Sequence, residues 1–282
     1  MNDESLTAWI GRTESRTEYI GESPVATLSV TLDRGDPAPQ SGDPIPPLWH
    51  WLYFLPRSPL SESGPDGHAA RGGFLPPVPL PRRMWGGGRL QFLDALRIGD
   101  TATRTSRIVD VTKKAGRSGP LVFVLVRHEV ARGGRPLIVE EHDIVYREAP
   151  QAGAAEASRQ ASAERTWSRE IHPDAVLLFR YSALTFNSHR IHYDFPYVTK
   201  IEGYPDLVVH GPLIATLLVD LLRRSVPHVR VSGFDFRAVS PLFANAPFLV
   251  CGQPAPDGTS ARLWAQRPDG ALAMEATARM AT

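Results

Sequence analysis

A chain of 282 residues with 31 Lys+Arg against 30 Asp+Glu, net +1, presents no global field to draw it to nucleic acid or an acidic membrane. At 42% hydrophobic residues it can bury one large or two medium cores. Its single cysteine, Cys251, excludes an internal disulfide framework and a cysteine-built zinc centre. No secretory signal opens the sequence and no run of about 18 apolar residues occurs, so the expectation is a cytoplasmic protein with neither nucleic acid nor membrane as partner.

In chain order, residues 6–11 read as a short helix followed by polar coil to residue 22. Residues 26–32 suit a strand or a helix equally. Prolines between Asp36 and Pro47 break any regular element. Residues 48–54 are the most aromatic stretch and read as a strand. Residues 56–89 form a Pro/Gly-rich connection too long for an ordinary loop. The embedded Phe74, Leu75, Met84 and Trp85 predict that it is ordered over a pocket. Gly86-Gly87-Gly88 opens no helix and reads as a turn. Three alternating strands follow, at 101–113, 121–131 and 136–146, as an antiparallel meander. Residues 149–163 almost lack bulky apolar side chains and read as a linker. Beyond it an apolar helix covers 211–224, with strands at 229–238, 247–253, 261–266 and 271–280. Cys251 falls in one of these strands as a buried, inert thiol. Helices against antiparallel strands make the fold class α+β.

Residues 181–192 concentrate chemistry in what reads as a short turn-like segment: Tyr181, Asn187, His189, Arg190 and His192. His210-Gly211-Pro212 then opens the apolar helix. A histidine loop facing a helix amino terminus suits a reaction that builds negative charge on a carbonyl oxygen, because the first backbone N–H groups are unpaired and the dipole is positive there.

Thr185-Phe186-Asn187-Ser188-His189-Arg190-Ile191-His192-Tyr193-Asp194, followed by His210-Gly211-Pro212-Leu213, resembles the MaoC-like hydratases and dehydratases of the hotdog superfamily. With Arg82-Arg83-Met84-Trp85 it is similar to their two-domain branch, the type 2 hydroxyacyl-thioester dehydratases and mesaconyl- or itaconyl-CoA hydratases. The resemblance covers nearly the whole chain. It implies a tandem hotdog in which antiparallel sheets wrap a long central helix in each half. A degenerate domain would occupy 1–148, a linker 149–163 and a catalytic domain 164–282. The implied activity is reversible hydration of an α,β-unsaturated acyl thioester on CoA or acyl-carrier protein, by a homodimer that needs no cofactor. In one respect the chain departs from the family: the position of the family's acid/base aspartate is Asn187, and an amide cannot act as a general base.

On this reading His192 is the general base toward water and the Gly211 amide receives the thioester oxygen. Asn187 holds water or the thioester. His189, Arg190, Arg83 and Trp85 are expected to contact substrate, with Arg82, Arg83 and Arg89 as candidates for the phosphates of CoA. Trp49, Trp51 and Tyr53 read as core or as tunnel lining. His210 reads as structural, and Asp194 is the carboxylate nearest in sequence to the catalytic segment. No metal is expected, since no paired carboxylates or Glu-x-x-His accompany the histidines. A hotdog thioesterase and a non-catalytic acyl-thioester-binding protein remain open alternatives.

Overall fold

A computed structural model describes residues 6–116, 119–148 and 159–281. The first half contains β1 (Thr13–Tyr19), α1 (Glu22–Thr31), β2 (Arg82–Phe92), β3 (Thr101–Gly116), β4 (Gly119–Arg132) and β5 (Arg135–Arg147). The second contains β6 (Trp167–Ile171), α2 (Ala175–Leu184), α3 (Phe195–Lys200), α4 (Gly211–Ser225), β7 (Arg230–Ala238), β8 (Phe248–Pro254), β9 (Ser260–Gln266) and β10 (Leu272–Ala281). All ten strands join in one sheet, ordered β1-β3-β4-β5-β2-β7-β10-β9-β8-β6. Read from its outer edge inward, each half has the same order: first strand, third, fourth, fifth, second. The halves meet where β2 pairs with β7, from Gly87↔Arg237 to Gln91↔Gly233. This is a tandem hotdog.

The meander forms because its sequence alternates and its turns fit. Ala102, Ser106 and Ile108 on β3 point into the core, while Thr103 and Thr105 face outward and pair by hydroxyl contacts with Thr17 and Ser15 on β1. Gly133 and Gly134 turn β4 into β5 at φ 55° and 80°, the left-handed pair that a two-residue hairpin needs. Cys251 is fully buried, and burial pushes its thiol up to about 11.

α4 organises the core. Residues 213–222 are buried without a break, so the helix is covered on all sides. Asp220 within it has no exposed side-chain surface and is paired with Arg34 (2.5 Å), Arg169 (2.9 Å) and Arg224 (2.7 Å). Arg224 also donates to the Leu32 carbonyl at 2.8 Å, so this buried carboxylate ties the end of α1 to α4. Three guanidinium partners offset the desolvation that one buried charge would otherwise suffer.

Several expectations fail for identifiable reasons. Residues 13–19 are a strand, not coil; β1 is an edge whose alternate residues are all exposed or half-buried, so it lacks an apolar signature. Residues 48–54 are not a strand. Trp49–Leu52 is a 3-10 turn between Leu48 and Phe54, both at positive φ, with Trp49 buried in the core and Trp51 partly buried against it. The ambiguous 26–32 lies in a helix, α1, whose ten residues are fewer than the fifteen of α4. Gly86-Gly87-Gly88 is no turn but runs inside β2, with a bulge between Trp85 and Gly87. A Cβ on Gly87 would lie 2.6 Å from the Phe236 carbonyl, and one on Gly88 2.8 Å from the Phe236 ring, so the seam requires glycine. Residues 149–158 of the expected linker lie outside the described residues. Its end is pinned, with the Leu272 N–H donating to the Arg159 carbonyl (2.7 Å) and Ala161 N–H to Gly270 (2.9 Å).

Candidate active site

The catalytic segment is not one turn but the end of a helix followed by a tightly bonded loop. Asp174 caps the start of α2 by accepting from the Leu177 N–H at 2.8 Å. Tyr181 is still helical and buried. Phe186 turns the chain at φ 50°, and the Asn187 N–H closes back onto the Ser182 carbonyl at 2.8 Å. The Asn187 side-chain oxygen accepts the His189 N–H at 3.0 Å, an Asx turn. Arg190–His192 makes a single 3-10 turn, and Asp194 then caps α3 through the Tyr197 N–H at 3.0 Å. Asp194 also binds Arg190 at 2.7 Å, which makes it a structural carboxylate rather than a replacement for the missing acid.

His192 is 7% exposed, and its Nδ1 lies 2.7 Å from the Val208 carbonyl. A carbonyl only accepts, so Nδ1 carries the proton and Nε2 is left as a bare acceptor. Burial pulls the His192 pKa down to about 4, against the opposing effect of the Val208 bond. The ring stacks on His210 with centroids 3.6 Å apart and planes 19° apart. His210 is fully buried, with Nε2 2.8 Å from the Ser182 hydroxyl, and burial holds it uncharged. It stands immediately before α4. A Cβ built on Gly211 meets nothing within 4 Å, so the helix amino terminus beside His192 opens onto free space.

The sequence reading missed Asp66 and His68, which the first half delivers to the same place. Asp66 Oδ2 and His68 Nδ1 are 3.0 Å apart, and Asp66 Oδ1 accepts the His68 N–H at 3.0 Å. Burial opposes ionisation of Asp66, but the hydrogen bonds and charge of His68 outweigh it and hold the carboxyl below its usual range. The His68 ring lies 4.0 Å from that of His189, which in turn lies 5.4 Å from His192. Burial and the neighbouring histidines push His189 far below its ordinary pKa. The two loops are tied backbone to backbone: the Arg190 N–H donates to the Asp66 carbonyl at 2.9 Å and the Ser188 hydroxyl to the Gly67 carbonyl at 2.5 Å. At Gly67, φ is 88° and a Cβ would fall 1.9 Å from the Ser188 carbonyl oxygen, so the contact demands glycine. The available signal was an Asp-x-His inside a long ordered loop, which by itself resembles any polar turn.

The other expected substrate contacts divide. Arg190 is committed to Asp194 and to the Pro65 carbonyl at 3.0 Å, which makes it a clamp between loops. Arg82 pairs with Glu202, and Arg89 lies outward with Asp143 and Glu141. Arg83 stands on β2 opposite Tyr146 of β5 and bears electrostatically on both His68 and His189. Trp85 is half-buried, its ring 4.0 Å from His142 and 5.0 Å from Trp51, in an aromatic layer below Arg83. Trp49 and Tyr53 are core.

Among the described residues two groups could hold a metal ion, Asp66-His68-His189 and His128-Glu140-His142, each with its ligand atoms within 4.8 Å of one another. In each the carboxylate is already engaged by hydrogen bonds: Asp66 by His68, and Glu140 by His50 and Trp51, at 3.0 Å each. A depression of about 1020 Å³ on the other face of the sheet is lined by Met84, Arg89, Asp143, Arg237 and Arg262, none of them from the catalytic loop. No described helix is long and apolar enough to cross a membrane.

The sequence profile of hydroxyacyl-thioester dehydratase type 2 matches residues 48–244. A mesaconyl-C(4)-CoA hydratase of Chloroflexus aurantiacus is 48% identical over 282 residues, covering 99% of each chain. A mitochondrial hydroxyacyl-thioester dehydratase type 2 of Schizosaccharomyces pombe is 27% identical over 265 residues, covering 83% of this chain and 88% of that protein. Among solved structures, a MaoC-like dehydratase from Phytophthora capsici superposes with a TM-score of 0.73 at 14% identity, covering 100% of this chain and 98% of the other.

Proposed function

The chain belongs to the hydroxyacyl-thioester dehydratase type 2 family and is a hydro-lyase of acyl-CoA thioesters; from that premise we propose that His192 is its general base and that its acyl group is a short, branched dicarboxylic one. The single observation that carries the catalytic reading is the Nδ1 contact of His192 with Val208, which leaves Nε2 bare beside the open start of α4.

The thioester oxygen sits at the Gly211 N–H, where the helix terminus stabilises the charge that gathers on it as the double bond is attacked. Water adds through its oxygen to Cβ while Nε2 of His192 takes one of its protons. The resulting imidazolium, disfavoured in so buried a place, returns that proton to Cα. No charge is left over, and dehydration is the reverse. Asp66 fixes the tautomer of His68, so that its Nε2 is an acceptor able to hold the second hydrogen of the water. Asn187 shapes the loop through its oxygen and has its amide N–H groups left for water or substrate. On this reading the aspartate of the site is Asp66, which orients His68, and none is required at position 187.

The dicarboxylic acyl group is suggested by the Chloroflexus relative, as is CoA as the carrier. A first half of residues 1–148, a linker of 149–163 and a catalytic half of 164–282 belong to the same proposal. So do a cytoplasmic location and a homodimer, for which the edge strands β1 and β6 offer unpaired borders. Mass spectrometry of crotonyl-, mesaconyl- and itaconyl-CoA incubated with pure protein tests the catalytic reading. Gain of one water that disappears in His192→Ala supports it. Turnover that survives His192→Ala, or release of free CoA thiol, overturns it.

A further inference from the structure

The site residues form a row. Gly211 and His210 stand at one end, His192 stacks on His210, His189 follows, then His68, and Arg83 closes the row beside Tyr146. Burial holds His192, His189, His68 and His210 below the ordinary histidine pKa, so these imidazoles are uncharged near neutral pH, and the charges at the far end are the Asp66 carboxylate, bonded to His68, and Arg83. The other guanidinium groups nearby are already committed: Arg71 to the carbonyls of Val78, Leu80 and Pro81, Arg82 to Glu202, Arg190 to Asp194. Arg83 makes no ion pair among the described residues. It is half-buried on the inner face of β2, in register with Tyr146, whose fully buried hydroxyl oxygen faces the Arg83 side chain and whose own proton has no acceptor. A half-buried cation with no ion-pair partner among the described residues, beside a buried hydroxyl whose own proton finds no acceptor, has the chemistry of an anion subsite.

The order of the row decides which anion. A thioester oxygen at Gly211 and a water beside His192 fix the direction of the acyl group, which runs from Gly211 toward His68. Whatever substituent lies beyond Cβ therefore reaches the Arg83 end. CoA leaves from the thioester carbon, at the opposite end. We propose that Arg83, with the Tyr146 hydroxyl, binds a free carboxylate carried on Cβ of the acyl group and so selects dicarboxylic over neutral branched enoyl thioesters. This rests on the hydration geometry proposed above.

The test uses two substrates of nearly the same shape. Mesaconyl-C(4)-CoA carries a carboxylate and a methyl on Cβ; 3-methylcrotonyl-CoA carries two methyls. In Arg83→Met, kcat/KM for the first is expected to fall about 100-fold, the scale of losing one partner of a desolvated charge pair, and for the second less than threefold. Tyr146→Phe should show the same selectivity with a smaller fall, and Arg83→Lys should recover part of the loss. Equal losses on both substrates would overturn the subsite and place Arg83 on CoA or in the framework; so would no loss on either, or a wild type that prefers 3-methylcrotonyl-CoA. Calorimetric binding of both thioesters to His192→Ala, with and without Arg83→Met, reads the subsite without turnover. Selective binding there alongside failed chemistry would sink the hydration mechanism alone, and unselective binding would sink the subsite alone.

Discussion

The two halves share one strand order but divide the work unequally. The second half supplies a fifteen-residue buried helix, its open amino terminus and the loop bearing His192. The first half has a ten-residue helix, and its contributions come from elsewhere: the long connection that brings Asp66 and His68, and the strand that brings Arg83. Where the helix terminus opens onto free space, the histidines of the same half gather beside it. Where it does not, a loop crosses the seam and adds side chains to its neighbour's site. On the function proposed here, the first half contributes Asp66, His68 and Arg83 to the site rather than a helix terminus of its own.

The sharpest break falls on the second half. His192→Ala should reduce turnover about 1000-fold, within the usual range for losing a general acid–base group, with the circular dichroism spectrum unchanged. The joint between the halves comes next. Asp220→Ala leaves Arg34, Arg169 and Arg224 facing each other around an empty place, and should cost about 3–5 kcal/mol in urea unfolding. An effect under about 1 kcal/mol would mean that the clamp contributes only as a surface pair would.

Gly67→Ala tests the first half's share. The added methyl collides with the Ser188 carbonyl and the positive φ disfavours any side chain. Turnover should fall about 10–100-fold, as expected when catalytic groups are misplaced, while the thermal midpoint shifts by only a few degrees, since neither Gly67 nor Ser188 belongs to a hydrophobic core cluster. Turnover close to wild type would show that Asp66 and His68 are bystanders.

The smallest effect expected is on pH dependence. His192 must be neutral to act, and its folded pKa is about 4 rather than the ordinary 6.5. The acid limb of kcat/KM should therefore lie near 4, not near 6.5. The depressed value also makes the unfolded chain bind a proton that the folded one refuses between these limits, so stability should fall as pH drops from 6.5 toward 4 and be independent of this group above 6.5. A limb at 6.5 would assign the base to an exposed histidine.

What the sequence revealed followed how locally each feature is encoded. α4 was legible because an unbroken apolar run follows Gly211-Pro212, and its boundaries agree within one residue. β3, β4 and β5 were legible from alternation and their glycine turns. β1 was not, because an edge strand exposed on both faces alternates nothing apolar, and Trp49–Leu52 was not, because aromatic residues buried in a turn imitate a strand. Within the site, His192 and Gly211 announced themselves by motif. Asp66 and His68 could not, because the residues that give them meaning are distant in the chain and their own neighbourhood, Ser63-Gly64-Pro65-Asp66-Gly67-His68, reads as solvent-facing turn.

That distance has a temporal side. Ser188 meets Gly67 across 121 positions and Arg190 meets Pro65 across 125, and each closes a loop that gains nothing until both halves have formed their strands. Refolding should therefore restore the far-ultraviolet signal first and enzymatic turnover later, with the interval set by the docking of one loop upon the other.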